Sequence, residues 1–210
     1  MKKKTILVIG AGGHAEACID VIESQKKYKI IGIIGKKSEK NKMLLKKYKV
    51  IGSDEDLEKF SKKVKNVIIG IGQIKSPTLR INLFEKLKKL KFKFPIIKSP
   101  HSIISKHSEI GEGTIVMHKA AIGPNVKIGK NCIINSKSLI EHGTRIGDNT
   151  HIATSVTINS GVIVESNNFI GSKSVIKQGL VIGKNSVIGM GKIILKSCAP
   201  ESFLGKNEKK

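Results

Sequence analysis

Two histidines, His142 and His151, stand nine residues apart in the stretch IEHGTRIGDNTHIA at 140–153. An imidazole with an unperturbed pKa of about 6.5 exchanges a proton near neutral pH, so such a pair can serve acid–base chemistry, metal binding or plain packing. A second stretch, Gly10-Ala11-Gly12-Gly13-His14-Ala15, lies between an apolar run and a helical pattern. A G-x-G-x-x-A turn of this kind can set backbone N–H groups and a helix N-terminus against a phosphate. In dinucleotide sites the second strand then ends on an acid that grips the ribose. Here that strand ends IGIIGKK, with Gly35, Lys36 and Lys37, which opposes a dehydrogenase and leaves a nucleotide phosphate or a purely structural turn. Cys18, Cys132 and Cys198 are far apart and outside any CxxC pattern, as reduced thiols are, so neither a disulfide framework nor a metal site is expected.

The elements that must position these groups show in the spacing of apolar residues. Stepping by six from Ile104 to Ile194 reaches sixteen positions, every one isoleucine or valine. Glycine often follows, as at Gly111, Gly129 and Gly147, and small residues favour the fourth place, as at Thr114, Cys132 and Ser174. A helix wants apolar residues every three or four positions and a simple strand every two. A step of six fits a β-solenoid whose hexads each form one flat side, with the β-branched residue inward and small residues easing the corners. Three sides make a coil of about 18 residues, so Ile122, Ile140 and Ile158 stack in one ladder. His142 follows its inward isoleucine by two places and faces out, as general base or as ordinary surface. His118 holds the same place after Val116 and reads as plain surface.

The first half alternates strand and helix. It predicts strands at Thr5–Ile9, Ile30–Ile34 and Asn66–Gly72, with a helix from about His14. A second helix, DEDLEKFSKKV, is capped by Ser53, and a third, SPTLRINLFEKLKKL, has Ser76 as cap and Pro77 at its first position. KFKFPII reads as a last strand and KSPHS as the linker. The fold class is therefore α/β plus all-β. Residues 1–98 form a Rossmann-like parallel α/β domain, 102–197 a β-helix and 198–210 a tail. The formal net charge of +23 is carried by lysine, with Arg80 and Arg145 as the arginines. Few arginines and 4% aromatics exclude base readout, so the lysines read as a solvated surface spread over both halves. The excess can still draw anionic ligands or acidic membrane surfaces. No apolar run approaches membrane-spanning length, and MKKKTILVIG reads as a strand start rather than a signal peptide.

A short α/β domain opening GAGGHA and joined to uninterrupted hexads resembles the hexapeptide-repeat acyltransferases. The likeness is to the subfamily of sialic acid O-acetyltransferases and the nucleotide-sugar N-acetyltransferases of bacillosamine and perosamine synthesis. The resemblance implies left-handed coils, a homotrimer with sites between subunits, acetyl-coenzyme A as co-substrate and a nucleotide sugar as acceptor. It also implies cytoplasmic work in bacterial surface-glycan biosynthesis, with no nucleic-acid partner and no stable membrane insertion. Residue by residue, it carries the general base to His142 and acceptor contacts to Gly12, Gly13 and His14. Coenzyme contacts fall on His151, Ser172 and Met190. The family's acid after the base is here Gly143, and its closing GxPAK segment is CAPESFLGKNEKK. The alternatives are transfer to a sugar hydroxyl and a non-catalytic trimeric scaffold. A γ-carbonic-anhydrase-like metal trimer is not matched by the spacing of His118, His142 and His151.

Overall fold

The computed structural model describes residues 3–74 and 76–205. The first half is a parallel sheet of β1 (Lys4–Ile9), β2 (Tyr28–Gly35), β4 (Tyr48–Ser53) and β5 (Asn66–Ile69), with β3 (Met43–Leu44) antiparallel at the edge. The order is β3-β4-β2-β1-β5. Ile6, Leu7, Val8 and Ile9 are all buried because the sheet is covered on both faces. On one face lies α1 (Gly13–Gln25). On the other, α2 (Leu57–Ser61) and α3 (Thr78–Lys89) pack with Phe92 and Phe94.

Three local expectations change. The second helix opens as a 3-10 turn at Asp54–Asp56, where the Asp56 carboxylate accepts the Ser53 N–H at 2.9 Å, and only 57–61 is α-helical. Pro77, not Ser76, occupies the N-cap of α3, although the Ser76 hydroxyl still accepts the Thr78 N–H at 3.2 Å. The β3–β4 hairpin is an addition to the predicted set. KFKFPII does not become an α/β strand, because Phe92 and Phe94 plug the helical face of the domain. Its end, β6 (Ile97–Lys98), pairs instead with Ile115–Val116 in the second half.

That second half is the expected left-handed parallel β-helix, with three flat faces. The first face begins at Ile103–Ile104, the second at Glu109–Ile110 and the third at β6. Ile122 pairs with Ile140 and Ile140 with Ile158, as the six-residue step requires. Burying each inward isoleucine contributes about 2 kcal/mol. The small residues of the hexad do more than ease corners. Thr114 Oγ1 donates to the Gly129 carbonyl at 2.8 Å and accepts the Cys132 N–H at 3.0 Å, so it ties neighbouring coils together. At the corner between the second and third faces, Asn131, Asn149, Asn167 and Asn185 all take positive φ. Their side-chain amides hydrogen-bond up the stack at 2.9, 3.2 and 3.0 Å.

The two halves form one molecule. Helix α1 is held between its own sheet and the third face, where Ile97, Ile115, Met117 and Ile133 complete the core around Ile19 and Ile22. Among the described residues, no helix is long and apolar enough to cross a membrane.

Candidate active site

The glycine turn lies at the C-terminal ends of β1, β2 and β5, the crevice where open α/β sheets place their ligands. Gly10 has φ +112 and donates its N–H to the Ile34 carbonyl at 2.7 Å, which folds the turn back over the sheet. Gly12 is the N-cap of α1, with the Ala15 N–H on its carbonyl at 2.9 Å. Open space surrounds the Cα atoms of Gly12 and Gly13, so the backbone there is accessible to an incoming oxyanion. The cleft above them holds about 730 Å³ and runs on to Gly35–Lys37, Ser53–Glu55 and Gly70–Gly72.

The end of β2 carries no acid, but three acids that no motif spacing announces line the cleft beside it. Glu39, from the turn after β2, accepts the Lys36 N–H at 2.9 Å and lies 3.4 Å from Lys42, whose ammonium donates to the Ala11 carbonyl at 2.8 Å. Asp54 and Glu55, at the end of β4, line the same cleft.

His14 lines this cleft, and its ring lies 6.4 Å from that of His151, which projects outward from the third face of the β-helix and is itself outside the cleft lining. His151 is 7% exposed, and its Nδ1 lies 2.6 Å from the Gln73 carbonyl. A carbonyl can only accept, so Nδ1 carries the proton. In the neutral ring Nε2 is then an acceptor, 3.5 Å from the Asn135 amide. Burial drives His151 down to about 4 against the opposing Gln73 bond, and the Arg80 charge adds to the fall. His14 falls to about 3, mainly by burial, with Arg80 and His151 assisting. Both rings are neutral at neutral pH.

Arg80 is the functional-site neighbour that sequence reasoning passed over. It is 1% exposed and donates to the Ile69 and Ile71 carbonyls at 2.8 Å each, and to the Asn131 carbonyl and side-chain oxygen at 3.1 and 2.7 Å. Burial lowers it only to about 10, so it stays a cation. It fastens the end of β5 to the asparagine ladder, and with it the loop that carries Gln73. The one available signal was its rarity, one of two arginines in a lysine-rich chain.

The remaining predicted residues lie elsewhere on the β-helix. His142 is exposed at the corner between the first and second faces, and its side chain has no hydrogen bond among the described residues. Ser172 and Met190 share a cleft of about 340 Å³ with Ser155 and Lys173, at the corner between the third and first faces. One chain therefore brings Gly12, Gly13, His14 and His151 together, pairs Ser172 with Met190 at a second place, and leaves His142 at a third. The first face lies between the last two. His118 is not plain surface. It accepts from Ser99 Oγ at 2.6 Å through Nδ1 and donates to Asp20 at 2.8 Å through Nε2, bridging the β-helix to α1.

Residues 5–87 match the PglD N-terminal domain, and residues 107–142 and 143–178 match the bacterial transferase hexapeptide of six repeats. Residues 161–196 match the hexapeptide repeat of succinyl-transferase. No curated protein matches the chain. Among solved structures, PerB from Caulobacter crescentus in complex with CoA and GDP-perosamine is 25% identical with a TM-score of 0.87, over 94% of this chain and 91% of that one. WeeI from Acinetobacter baumannii is 27% identical with a TM-score of 0.81, over 95% and 94%. The acetyltransferase domain of PglB from Neisseria gonorrhoeae, in complex with acetyl coenzyme A, shares the fold at 22% identity and a TM-score of 0.71, over 94% of each chain.

Proposed function

We propose that this chain, which belongs to the hexapeptide-repeat transferases built on a PglD-type N-terminal domain, moves an acetyl group from acetyl-coenzyme A to the amino group of a nucleotide-activated amino sugar. The observation that carries this reading is the open glycine-loop cleft lined by neutral His14, with the buried neutral ring of His151 6.4 Å from it at the domain junction. The solved likeness that holds CoA and GDP-perosamine together supports the pairing of substrates. The sugar's diphosphate sits on the N–H groups at Gly12 and Gly13, and Glu39, Asp54 and Glu55 face its nucleoside end. Such a product suits the assembly of bacterial surface glycans, and both substrates belong to the cytoplasm.

The amine attacks the thioester carbonyl while His142 takes its proton. The C–S bond then breaks, and the coenzyme leaves as a thiolate that recovers the proton as a thiol. His142 and the cleft occupy different sides of one chain, so His142 acts on the cleft of a neighbouring copy in a homotrimer. The first face supports that assembly, since Ile103, Ala121, Leu139, Thr157, Val175 and Ile193 form an outward ladder, apolar except at Thr157, with Ile193 71% exposed. Ser172 and Met190 then meet the coenzyme along the same seam. His151 orients the donor as an acceptor of an N–H, because its own proton is committed to Gln73.

Subunit complementation tests the scheme. His142→Ala lowers kcat a hundredfold or more, within the range of about 10²–10⁴ for general-base loss, with KM little changed. Gly12→Val fills the phosphate cradle without backbone strain, because Gly12 is extended and nothing lies within 4 Å of an added Cβ. Each variant alone releases little coenzyme thiol with a panel of nucleotide amino sugars. Mixed trimers of the two regain activity, and no regain refutes the placement of His142 across the seam. Turnover only on hydroxyl acceptors would overturn the amine assignment.

A further inference from the structure

In a parallel α/β sheet the strands begin on one edge, opposite the ligand crevice. Each of the parallel strands here is preceded by lysines: Lys3 and Lys4 at β1, KKYK at 26–29 before β2, KKYK at 46–49 before β4 and KKVK at 62–65 before β5. KKLKFK at 88–93 adds the end of α3, and Lys93 bridges to Asn66 beside β5. The apolar residue of each motif turns inward: Val64, Leu90 and Phe92 pack in one core, and Tyr28 and Tyr48 pack against the other. Every described lysine of these motifs is exposed. Among the described residues, their only carboxylate partner is Glu23, which takes Lys47 and the Tyr48 hydroxyl. Of the domain's other acids, Glu16, Glu39 and Asp54–Asp56 lie at the crevice end, Asp20 is taken by His118, and Glu58 and Glu85 stand one turn in from the lysines on α2 and α3. The lysines occur in both halves, as the sequence shows, and those of these motifs gather at this end of the sheet. They make a flat cationic edge across four strands spaced about 4.8 Å apart.

Leu45 stands at the same edge, at the tip of the β3–β4 hairpin. It is 47% exposed among the lysines and holds φ +49, a conformation that leucine rarely adopts. We propose that this edge is a peripheral docking surface for an anionic lipid bilayer, with the lysines on headgroup phosphates and Leu45 at the interface. Nucleic acid is disfavoured, because the edge has no arginine fork, no exposed aromatic for stacking and no groove. The glycine-loop cleft opens at the opposite end of the strands, so docking leaves it free.

The full chain is sedimented with phosphatidylcholine vesicles and with vesicles containing about a third phosphatidylglycerol, at low salt and at roughly 0.5 M salt. Binding to the anionic vesicles alone, lost at high salt, is expected. Each lysine near such a surface is worth about fivefold in partition. The combined change Lys26→Glu, Lys27→Glu, Lys63→Glu and Lys65→Glu therefore lowers partition by more than about a hundredfold. Leu45→Ser, with charge unchanged, lowers it severalfold, and acetylation of soluble substrate is unaffected in both variants. Equal partition of wild type and the lysine variant overturns the proposal. So does an indifferent Leu45→Ser together with equally tight binding of duplex DNA, which would mark the edge as a general polyanion surface.

Discussion

His151 shows how a residue's role is narrowed by the atom that holds its proton. In the proposed scheme His151 orients the acetyl donor, and the atom that holds its proton decides which contacts it can make. The 2.6 Å contact to the Gln73 carbonyl spends the Nδ1 proton and leaves Nε2 as an acceptor. The same burial makes stability depend on pH. Both His14 and His151 lie below their ordinary value in the folded chain, at about 3 and about 4. The unfolded chain therefore binds more protons in the window beneath pH 6.5. This stability is fully present above about 6.5 and is lost as pH falls toward 4 for His151 and toward 3 for His14. For His151 the loss is on the order of 3 kcal/mol. Thermal melts from pH 7 to pH 4.5 should show a steeper decline for wild type than for His151→Asn. Parallel curves would mean that the ring is not buried in its neutral form.

At the scale of elements, the two kinds of glycine in the hexads have different reasons to exist. An added Cβ at Gly147 would stand 2.5 Å from the Ser166 nitrogen of the next coil. Gly161 has φ +67 but open space around it. Gly147→Ala should therefore cost about 2–4 kcal/mol by forcing coils apart, and Gly161→Ala about 1–2 kcal/mol for the left-handed conformation alone. Denaturant unfolding of the two variants checks the order, and equal losses would refute it. The β-helix was legible because its inward ladder repeats a local pattern, so one hexad predicts the next. The glycine loop was legible for the same reason, as a short motif between a strand and a helix. Arg80, Gln73 and the Asp20–His118 bridge were not, since their partners are 51, 78 and 98 residues away and no short-range pattern encodes such meetings. The β3–β4 hairpin escaped for another reason: its edge strand is only two residues long and the turn into β4 holds Lys46 and Lys47, so the pair resembles a solvated loop.

For the whole molecule, the apolar first face and the separated site residues make one prediction. Replacing Leu139 and Val175 by arginine places two charges on that face without touching the glycine-loop cleft. Light scattering should then report monomers, with nucleotide-sugar binding weakened but detectable and acetyl transfer abolished. A fully active monomer would remove the need for a seam. Such a variant also separates assembly from docking, because the lysine edge of each α/β domain is untouched.

The stacked coils also make the β-helix a ruler graduated in steps of about 4.8 Å. Arg80 on Asn131 and Gln73 beside His151 peg the α/β domain to the lower graduations. Inserting one whole coil above residue 153 would keep His14 and His151 in contact while lifting Ser172 and Met190 by one graduation. An insertion of six or twelve residues would keep the inward step but carry Ser172 and Met190 onto another face. Reach along one face is thus quantised, because only whole coils lengthen the seam and return the same residues to the same face.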